Sequence, residues 1–387
     1  MKIAKNVSKL GTELVYDIFA KTKKLQSEGK KIIDLSLGQS AENPPRHVIE
    51  ATIKALNDGN NGYTVPNGII ECREAVSRKI KSLYNVNISP KRIFIMPGGK
   101  PTMHYAISFF GESGVEIIYP DPGFPIYQSM INYTGAKAVS YNLTNNKGFK
   151  IDANKILSLI NEKTRLLILN NPHNPTGSFT EKSEIDKLAK GLQNFPNVAI
   201  LSDEIYGRLI FEKKEFPTFF NYPDLYDRLI VLDGWSKTYA MTGWRLGWGV
   251  WPEKLLDHLF KFCVNNHSCV NAAIQYGAIS ALDGPDDSIN SMVKKFILRK
   301  NLMVDGLRKI KGIICNESEG GFFIFPNIKG TGMNGEEFAE RCLNEAGIAL
   351  IPGTAFGKFA VDNVRINFTT SEENISNALE KINNMLG

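Results

Sequence analysis

The sequence has little that would tie it to a disulfide framework, a metal, a membrane or a nucleic acid. Its five cysteines, in 387 residues, are odd in number and dispersed as Cys72, Cys263, Cys269, Cys315 and Cys342. No CxxC occurs, so reduced thiols in a cytoplasmic setting are expected. Five histidines form neither HExxH nor a His/Cys cluster, which disfavours a metal site. The longest apolar runs fall short of the ~18 residues needed to cross a bilayer. The opening stretch MKIAKNVSKLGTELV lacks the continuous apolar centre of a signal peptide. Charge of one sign is also scarce. The balance of 46 Lys plus Arg against 40 Asp plus Glu leaves +6, scattered rather than gathered into a polybasic tail for nucleic acid.

What is present is ordinary for a globular protein. Hydrophobic residues make up 43% and charged residues 22%, which excludes disorder as the general state. At about 150 residues per domain the length suggests two or three domains, or one large α/β unit with an addition. Short apolar runs at 92–96, 115–119, 165–169, 198–201 and 229–232 suit strands covered on both faces. Amphipathic stretches lie between them, such as 180–193, where Thr180 is the expected N-cap. Strands alternating with helices predict a doubly wound, mostly parallel sheet. The last third differs. A long helix over 290–310 precedes strand-like segments at 321–326 and 364–368. A helix is expected from 335 to about 345 and another from 371 to the end, an α+β pattern. Residues 1–45, with a helix at 12–28, are expected to pack with that smaller domain. The division is then 1–45, 46–285 and 286–387.

In open α/β sheets ligands gather at the carboxyl ends of the strands, so those ends carry the chemistry. The run 92–96 leads into Pro97-Gly98-Gly99-Lys100-Pro101. This is either an anion cradle of free N–H groups at a helix start or only a tight turn. Phe94 stands where a Walker motif needs glycine, which excludes a P-loop. The run 165–169 leads into NNPHNPTG, which is either a plain turn or a rigid mount for the Asn174 amide. The run 198–201 leads into Ser202-Asp203-Glu204-Ile205-Tyr206. A carboxylate at a buried strand tip needs a positive partner, unless Asp203 is only a cap. The run 229–232 leads into DGWSKTYAMTGWR. Lys237 among aromatic and small residues is a candidate amine with a depressed pKa. Eight residues on, Arg245 suits a phosphate. His104 and His173 read as hydrogen-bonded bystanders, Cys72 as helix packing, and the FFIF aromatics as core.

One ligand draws on all these groups: pyridoxal 5′-phosphate. Its aldehyde needs a lysine, its ring nitrogen a carboxylate, its phenolic oxygen hydrogen-bond donors, and its phosphate an arginine with backbone N–H groups.

With NNPHNPTG at 170–177, SDEIYGRL at 202–209 and SKTYAMTGWRLGW at 236–248, the chain resembles the fold-type I, class I/II aminotransferases. The likeness is greatest to their aspartate aminotransferase-like branch. Flanking matches are GYTVPNGIIECREAV at 62–76, GGFFIFP at 320–326 and IPGTAFG at 351–357. The resemblance implies a large doubly wound, mostly parallel seven-stranded sheet domain and a smaller α+β domain. It implies an enzyme moving an amino group between an L-amino acid and a 2-oxo acid by a ping-pong route. The expected pair is aspartate or a related amino acid with glutamate/2-oxoglutarate.

It further implies Lys237 as the covalent anchor and acid–base group, and Asp203 on the pyridinium nitrogen. Asn174 and Tyr206 would meet the phenolic oxygen, and Phe124 would stack on the ring. Gly99, Lys100, Ser236 and Arg245 would surround the phosphate. Tyr63 would reach the phosphate of a neighbouring subunit, which implies a homodimer with shared sites. Arg365 would clamp the α-carboxylate with help from Asn174 and the Gly38 backbone. Lys100 is also a candidate for a distal substrate carboxylate. The sequence departs from many relatives at Gln39-Ser40-Ala41-Glu42-Asn43, near the substrate entrance, and at Gly123. Other readings are a lyase or synthase of the same fold, and an aminotransferase of aromatic or other amino acids. An aminotransferase-like regulator domain is disfavoured, because the motif-bearing region starts near residue 30 and leaves no room for a DNA-binding domain.

Overall fold

The computed structural model describes residues 1–212 and 215–387. Helix α1 (Leu14–Ser27) and the short strand β1 (Ile33–Asp34) come first, then α2 (Arg46–Asn57) and α3 (Ile70–Tyr84). The large sheet begins with β2 (Ile93–Met96). It continues through α4 (Lys100–Phe110), β3 (Glu116–Asp121), α5 (Pro125–Thr134) and β4 (Lys137–Asn142). Next come α6 (Ala153–Leu159), β5 (Thr164–Asn170), α7 (Lys182–Leu192) and β6 (Ala199–Asp203). Then β7 (Leu229–Gly234), the single turn α8 (Trp235–Thr238) and β8 (Gly247–Val250) complete the sheet. Helices α9 (Leu256–Asn266), α10 (Ala272–Asp283) and α11 (Asp287–Lys309) follow. The remaining elements are β9 (Phe323–Ile324), α12 (Gly335–Arg341), β10 (Ile348–Ala349), β11 (Ile351–Pro352), β12 (Val364–Asn367) and α13 (Glu372–Leu386).

The seven-stranded sheet has the order β2-β8-β7-β6-β5-β3-β4. The pairs from β4 through β7 are parallel, as the alternation of strands and helices predicts. Strand β8 runs antiparallel to both β7 and β2. Two reversals restore the direction, so the carboxyl end of β2 opens on the same edge as those of β5, β6 and β7. Register then lines up the site. Asn170 pairs with Asp203, Asp203 with Leu232, and Gly234 and Met96 both with Gly247.

Successive strand side chains point to opposite faces. Ile93 and Ile95 therefore join one apolar cluster with Leu167, Ile200 and Val231. Phe94 and Met96 join another with Ile168, Leu201 and Leu232. Both faces are covered by helices, which is why these strands read as continuous apolar runs. A third cluster gathers Phe296, Leu307, Phe322, Phe323, Ile366 and Ile375, together with Leu35 next to β1. There β1 pairs in parallel with β10, while β11, β12 and β9 form an antiparallel sheet.

Three local expectations are corrected. Thr180 is not the N-cap of α7; that position is Glu181. The Thr180 backbone N–H instead donates to Asn171 Oδ1 at 2.9 Å, which ties it to the NNPHNPTG loop. The strand expected over 321–326 is only Phe323–Ile324, because Gly321 takes φ +71° and turns the chain first. The helix expected to about 345 stops being α-helical at Arg341 and widens into a π-type turn over Cys342–Ala346, closed by Gly347.

Candidate active site

A cavity of about 540 Å³ opens at the carboxyl edge of the large sheet, between it and the unit built around β9 and β12. The β6 end brings Asp203 and, just beyond, Tyr206. The β5 loop brings Asn174, and the α8 turn after β7 brings Ser236 and Lys237. Gly99 and Lys100 enter from the start of α4, Phe124 from the N-cap of α5, and Gly38 from the loop after β1. Arg245 and Arg365 complete this set. Tyr63 is the exception among the expected site residues. It is 94% exposed and lies outside this chain's pocket.

Asp203 is buried. Its Oδ2 accepts from the Tyr127 hydroxyl at 2.6 Å and its Oδ1 from the Ile205 N–H at 3.3 Å. Burial pushes its carboxyl up to about 6, while the two donors and the charge of Lys237 hold it from rising further. The group is therefore largely ionised at neutral pH, a paired anion waiting for a cation. Lys237 is half-buried, and its Nζ donates to the Gly38 carbonyl at 2.6 Å. Desolvation, with Arg365 and Arg245 nearby, brings its ammonium down to about 8. A free amine is thus accessible near neutral pH.

Arg365 is buried between the rings of Phe323 and Phe356, 4.3 and 4.7 Å from their centroids. Its Nη1 donates to Asn174 Oδ1 at 3.1 Å and its Nη2 to the Ser36 carbonyl at 2.7 Å. Burial lowers it to about 10, so it remains a cation. Its Nε is buried with no hydrogen-bond partner. The guanidinium lines the cavity, and a buried cation there is a place for a carboxylate. Asn174 is set by its own backbone N–H, which donates to Asn170 Oδ1 at 2.9 Å. His173 hydrogen-bonds Thr176 at 2.8 Å, and burial pushes it down to about 3, so it stays neutral.

The anion cradle depends on close backbone approach. Gly98 has φ +90°, and a Cβ there would lie 2.1 Å from Arg245 Nη2. The guanidinium therefore rests directly on the turn that starts α4. Arg245 itself holds φ +55°, a conformation rare for a side-chain-bearing residue, and its Nη1 donates to the Thr242 carbonyl at 2.7 Å. Free N–H groups at the start of α4 and this guanidinium converge on one spot, which is the donor set a phosphate requires.

Three residues of the site were not singled out from the sequence. Tyr127 holds Asp203; its position three residues after Phe124 puts both on one side of α5. Asn170 holds the Asn174 backbone. Glu13 lines the pocket and is bonded to Lys100. No spacing signal marks Glu13, whose contact joins residues 87 apart.

The loop 39–43 is fixed to the smaller unit. The Gln39 carbonyl accepts from Asn367 Nδ2 at 2.9 Å and Thr369 Oγ1 at 3.1 Å. Glu42 pairs with Lys295 at 2.8 Å and Arg299 at 3.1 Å.

The residues fit pyridoxal phosphate on their own chemistry: an amine of lowered basicity, a buried carboxylate, an anion cradle and a buried guanidinium all line one cavity. Comparisons agree. The profile of the family described as Aminotransferase class I and II matches residues 30–382. The chain is 34% identical to a probable aspartate aminotransferase of Methanocaldococcus jannaschii, over 90% of this chain and 91% of that protein. It is 30% identical to an aspartate aminotransferase of Bacillus subtilis, over 99% and 98%. The crystal structure of the aspartate aminotransferase from Rhizobium meliloti superposes with a TM-score of 0.94 at 28% identity, covering 100% of this chain and 99% of that one.

Proposed function

The chain belongs to the class I and II aminotransferases, enzymes that depend on pyridoxal 5′-phosphate, and we propose that it exchanges amino groups among aspartate- and glutamate-type amino acids and their 2-oxo acids. The observation that carries this reading is a pair of cations in one pocket with Lys237. Arg365 is placed for the α-carboxylate and Lys100, now paired with Glu13, for a distal one.

When bound, the cofactor supplies an electron-withdrawing ring that stabilises charge left on the substrate α-carbon. In our reading the chain does the rest. Arg245, Ser236, Gly99 and the backbone at the start of α4 hold the phosphate. Asp203 pairs with the ring nitrogen and keeps it protonated, and Tyr127 keeps Asp203 ionised. Asn174 and Tyr206 would hold the phenolic oxygen, and the Phe124 ring would lie against the heterocycle. Arg365, through the Nη groups it shares with Asn174 and Ser36, would hold the substrate carboxylate and orient the α-hydrogen toward Lys237. Lys237 Nζ anchors the cofactor in the resting enzyme. With its depressed basicity, the same amine would serve as the base for the substrate α-proton and as the acid that returns it. The Gly38 carbonyl, which accepts from Nζ, would hold that amine at the cavity.

A homodimer with shared sites is part of the reading. Ile49, Ile53 and Leu56 form an exposed apolar stripe on α2, and Phe260 and Val264 another on α9. Such faces support burial against a second copy, where Tyr63 would reach the partner's phosphate. Sedimentation of the holoenzyme, with Ile53→Glu expected to shift it to monomer, tests this. Five free thiols support a cytoplasmic setting, and among the described residues no helix is long and apolar enough to cross a membrane. The separate apolar cluster around Phe322 supports the division into 1–45, 46–285 and 286–387.

A donor–acceptor screen, read as loss and return of the visible absorbance of the lysine-bound cofactor, tests the substrate class. Aspartate and glutamate are expected to react faster than alanine or tyrosine, and to need a 2-oxo acid for turnover. Pyruvate and ammonia released from one amino acid alone would point to a lyase instead.

A further inference from the structure

Glu13 is the N-cap residue of α1, with extended backbone, and its side chain makes no capping bond to that helix. A carboxylate at this place is favoured by the dipole of its own helix. It turns into the active-site cavity instead and bonds the Lys100 ammonium, 87 residues away. Glu13 is only 8% exposed. Lys100 is caged further by two rings, Tyr16 and Phe124, each with its centroid 5.6 Å from Nζ. The segment carrying Glu13 is pinned two residues earlier, where the Gly11 N–H donates to Ser129 Oγ on α5 at 2.9 Å.

The charges of the pocket make this contact consequential. Its lining holds four cations, Lys100, Lys237, Arg245 and Arg365, and two carboxylates, Glu13 and Asp203. A phosphate matches Arg245, an α-carboxylate matches Arg365, and a protonated ring nitrogen matches Asp203. Lys100 and Glu13 then satisfy each other. An amino acid with a neutral side chain leaves that pair intact. One with a second carboxylate finds Lys100 already taken and meets a like charge beside it, in a half-buried place where repulsion is weakly screened.

We propose that Glu13 is a specificity-determining residue, an internal carboxylate that occupies Lys100 and must release it before a dicarboxylate substrate can bind. The proposal rests on the reading of Lys100 as the distal-carboxylate partner. A dicarboxylate exchanges one carboxylate for another on Lys100, so its net gain there is small. Glu13 thus narrows the preference for acidic over neutral amino acids and lets one pocket accept both.

The test uses the holoenzyme and three variants: Glu13→Gln, Lys100→Met and the double substitution. Two quantities are read for each. One is the ratio of kcat/KM for aspartate to that for alanine; the other is the equilibrium affinity for maleate, a dicarboxylate that cannot react, followed by absorbance. Glu13→Gln is expected to raise the ratio and to tighten maleate by about five- to tenfold, the scale of losing one partly exposed competing ion pair. Lys100→Met is expected to lower both, and Glu13→Gln to add nothing once Lys100 is gone. A lowered ratio in Lys100→Met with no rise in Glu13→Gln would overturn the role of Glu13 and leave the dicarboxylate reading standing. An unchanged ratio in Lys100→Met would sink that reading and the proposal with it. Should Glu13→Gln fold poorly, Glu13→Ala serves for the same two measurements.

Discussion

The Tyr127 hydroxyl donates to Asp203 Oδ2 at 2.6 Å, from within helix α5 to the tip of strand β6. Both groups are buried. Burial favours the neutral acid at Asp203, and this hydrogen bond opposes it. The anion proposed to meet the ring nitrogen therefore exists at neutral pH partly because of the Tyr127 phenol.

Tyr127→Phe removes the donor and nothing else of comparable size. Asp203 then moves further above the ordinary carboxylate range. The acid limb of the kcat/KM profile is expected to shift upward in pH. The loss near pH 6 is about tenfold or more, the scale of a hydrogen bond to a charged group, ~1.5–3 kcal/mol. A uniform loss at all pH values, with no movement of that limb, would make Tyr127 a packing residue only.

Lys237 yields a prediction of opposite sign. Attachment of the cofactor requires the free amine. With the ammonium down to about 8 by burial and the nearby arginines, the rate of attachment to the apoprotein should rise with pH and level off above about 8. Below that midpoint the protonated form dominates and attachment slows. Arg365→Met removes one of the neighbouring cations that depress Lys237, so the midpoint should move upward. Stopped-flow mixing of apoprotein with the cofactor across pH measures both. Lys237→Ala should abolish the visible band of the attached cofactor and lower turnover at least ~10³-fold, within the range ascribed to a lost acid–base group.

Gly98 gives a prediction about the anion cradle. A Cβ at this position would lie 2.1 Å from Arg245 Nη2, and the residue has φ +90°. Gly98→Ala therefore combines ~1–2 kcal/mol of backbone strain with displacement of the guanidinium. A weaker grip on the phosphate is expected, seen as about tenfold or greater loss of cofactor affinity in equilibrium dialysis, together with a lower melting temperature. A variant that melts lower yet binds the cofactor as tightly would separate the turn from the cradle.

Much of this site was legible because strand ends are legible. Asp203, Asn174 and Lys237 each follow an apolar run whose length and β-branched content announce a buried strand, and parallel register then delivers them to one edge. Strand β8 was not foreseen. Its sequence, Gly247-Trp-Gly-Val250, has two glycines in four residues, which local propensity counts against a strand. Tertiary contact explains them: a Cβ at Gly247 would lie 2.6 Å from the Gly98 carbonyl carbon. Edge strand β4, Lys137–Asn142, was hidden by its polar, partly exposed face. Glu13 and Tyr127 escaped for another reason. Their partners are far away in sequence, and the packing that joins them, of α1 and α5 over the cavity, leaves no periodic trace.

Arg365 is held on several sides, and replacing it is correspondingly informative. Two aromatic rings, the Asn174 amide and the Ser36 carbonyl fix its plane at the cavity wall. Arg365→Lys keeps the charge but loses the planar fork, so it cannot serve Asn174, Ser36 and a carboxylate together. All amino acids carry the α-carboxylate. The KM should therefore rise by a similar factor for aspartate and alanine, about 30- to 150-fold for the ~2–3 kcal/mol of a buried charge-assisted pair. This contrasts with the selective effects expected at Lys100 and Glu13. The absorbance of the cofactor in the absence of substrate should be little changed, because the phosphate and ring contacts are made by other side chains. A substitution that instead raised KM for aspartate alone would move Arg365 to the far end of the substrate and reverse the orientation on which the role of Lys100 depends.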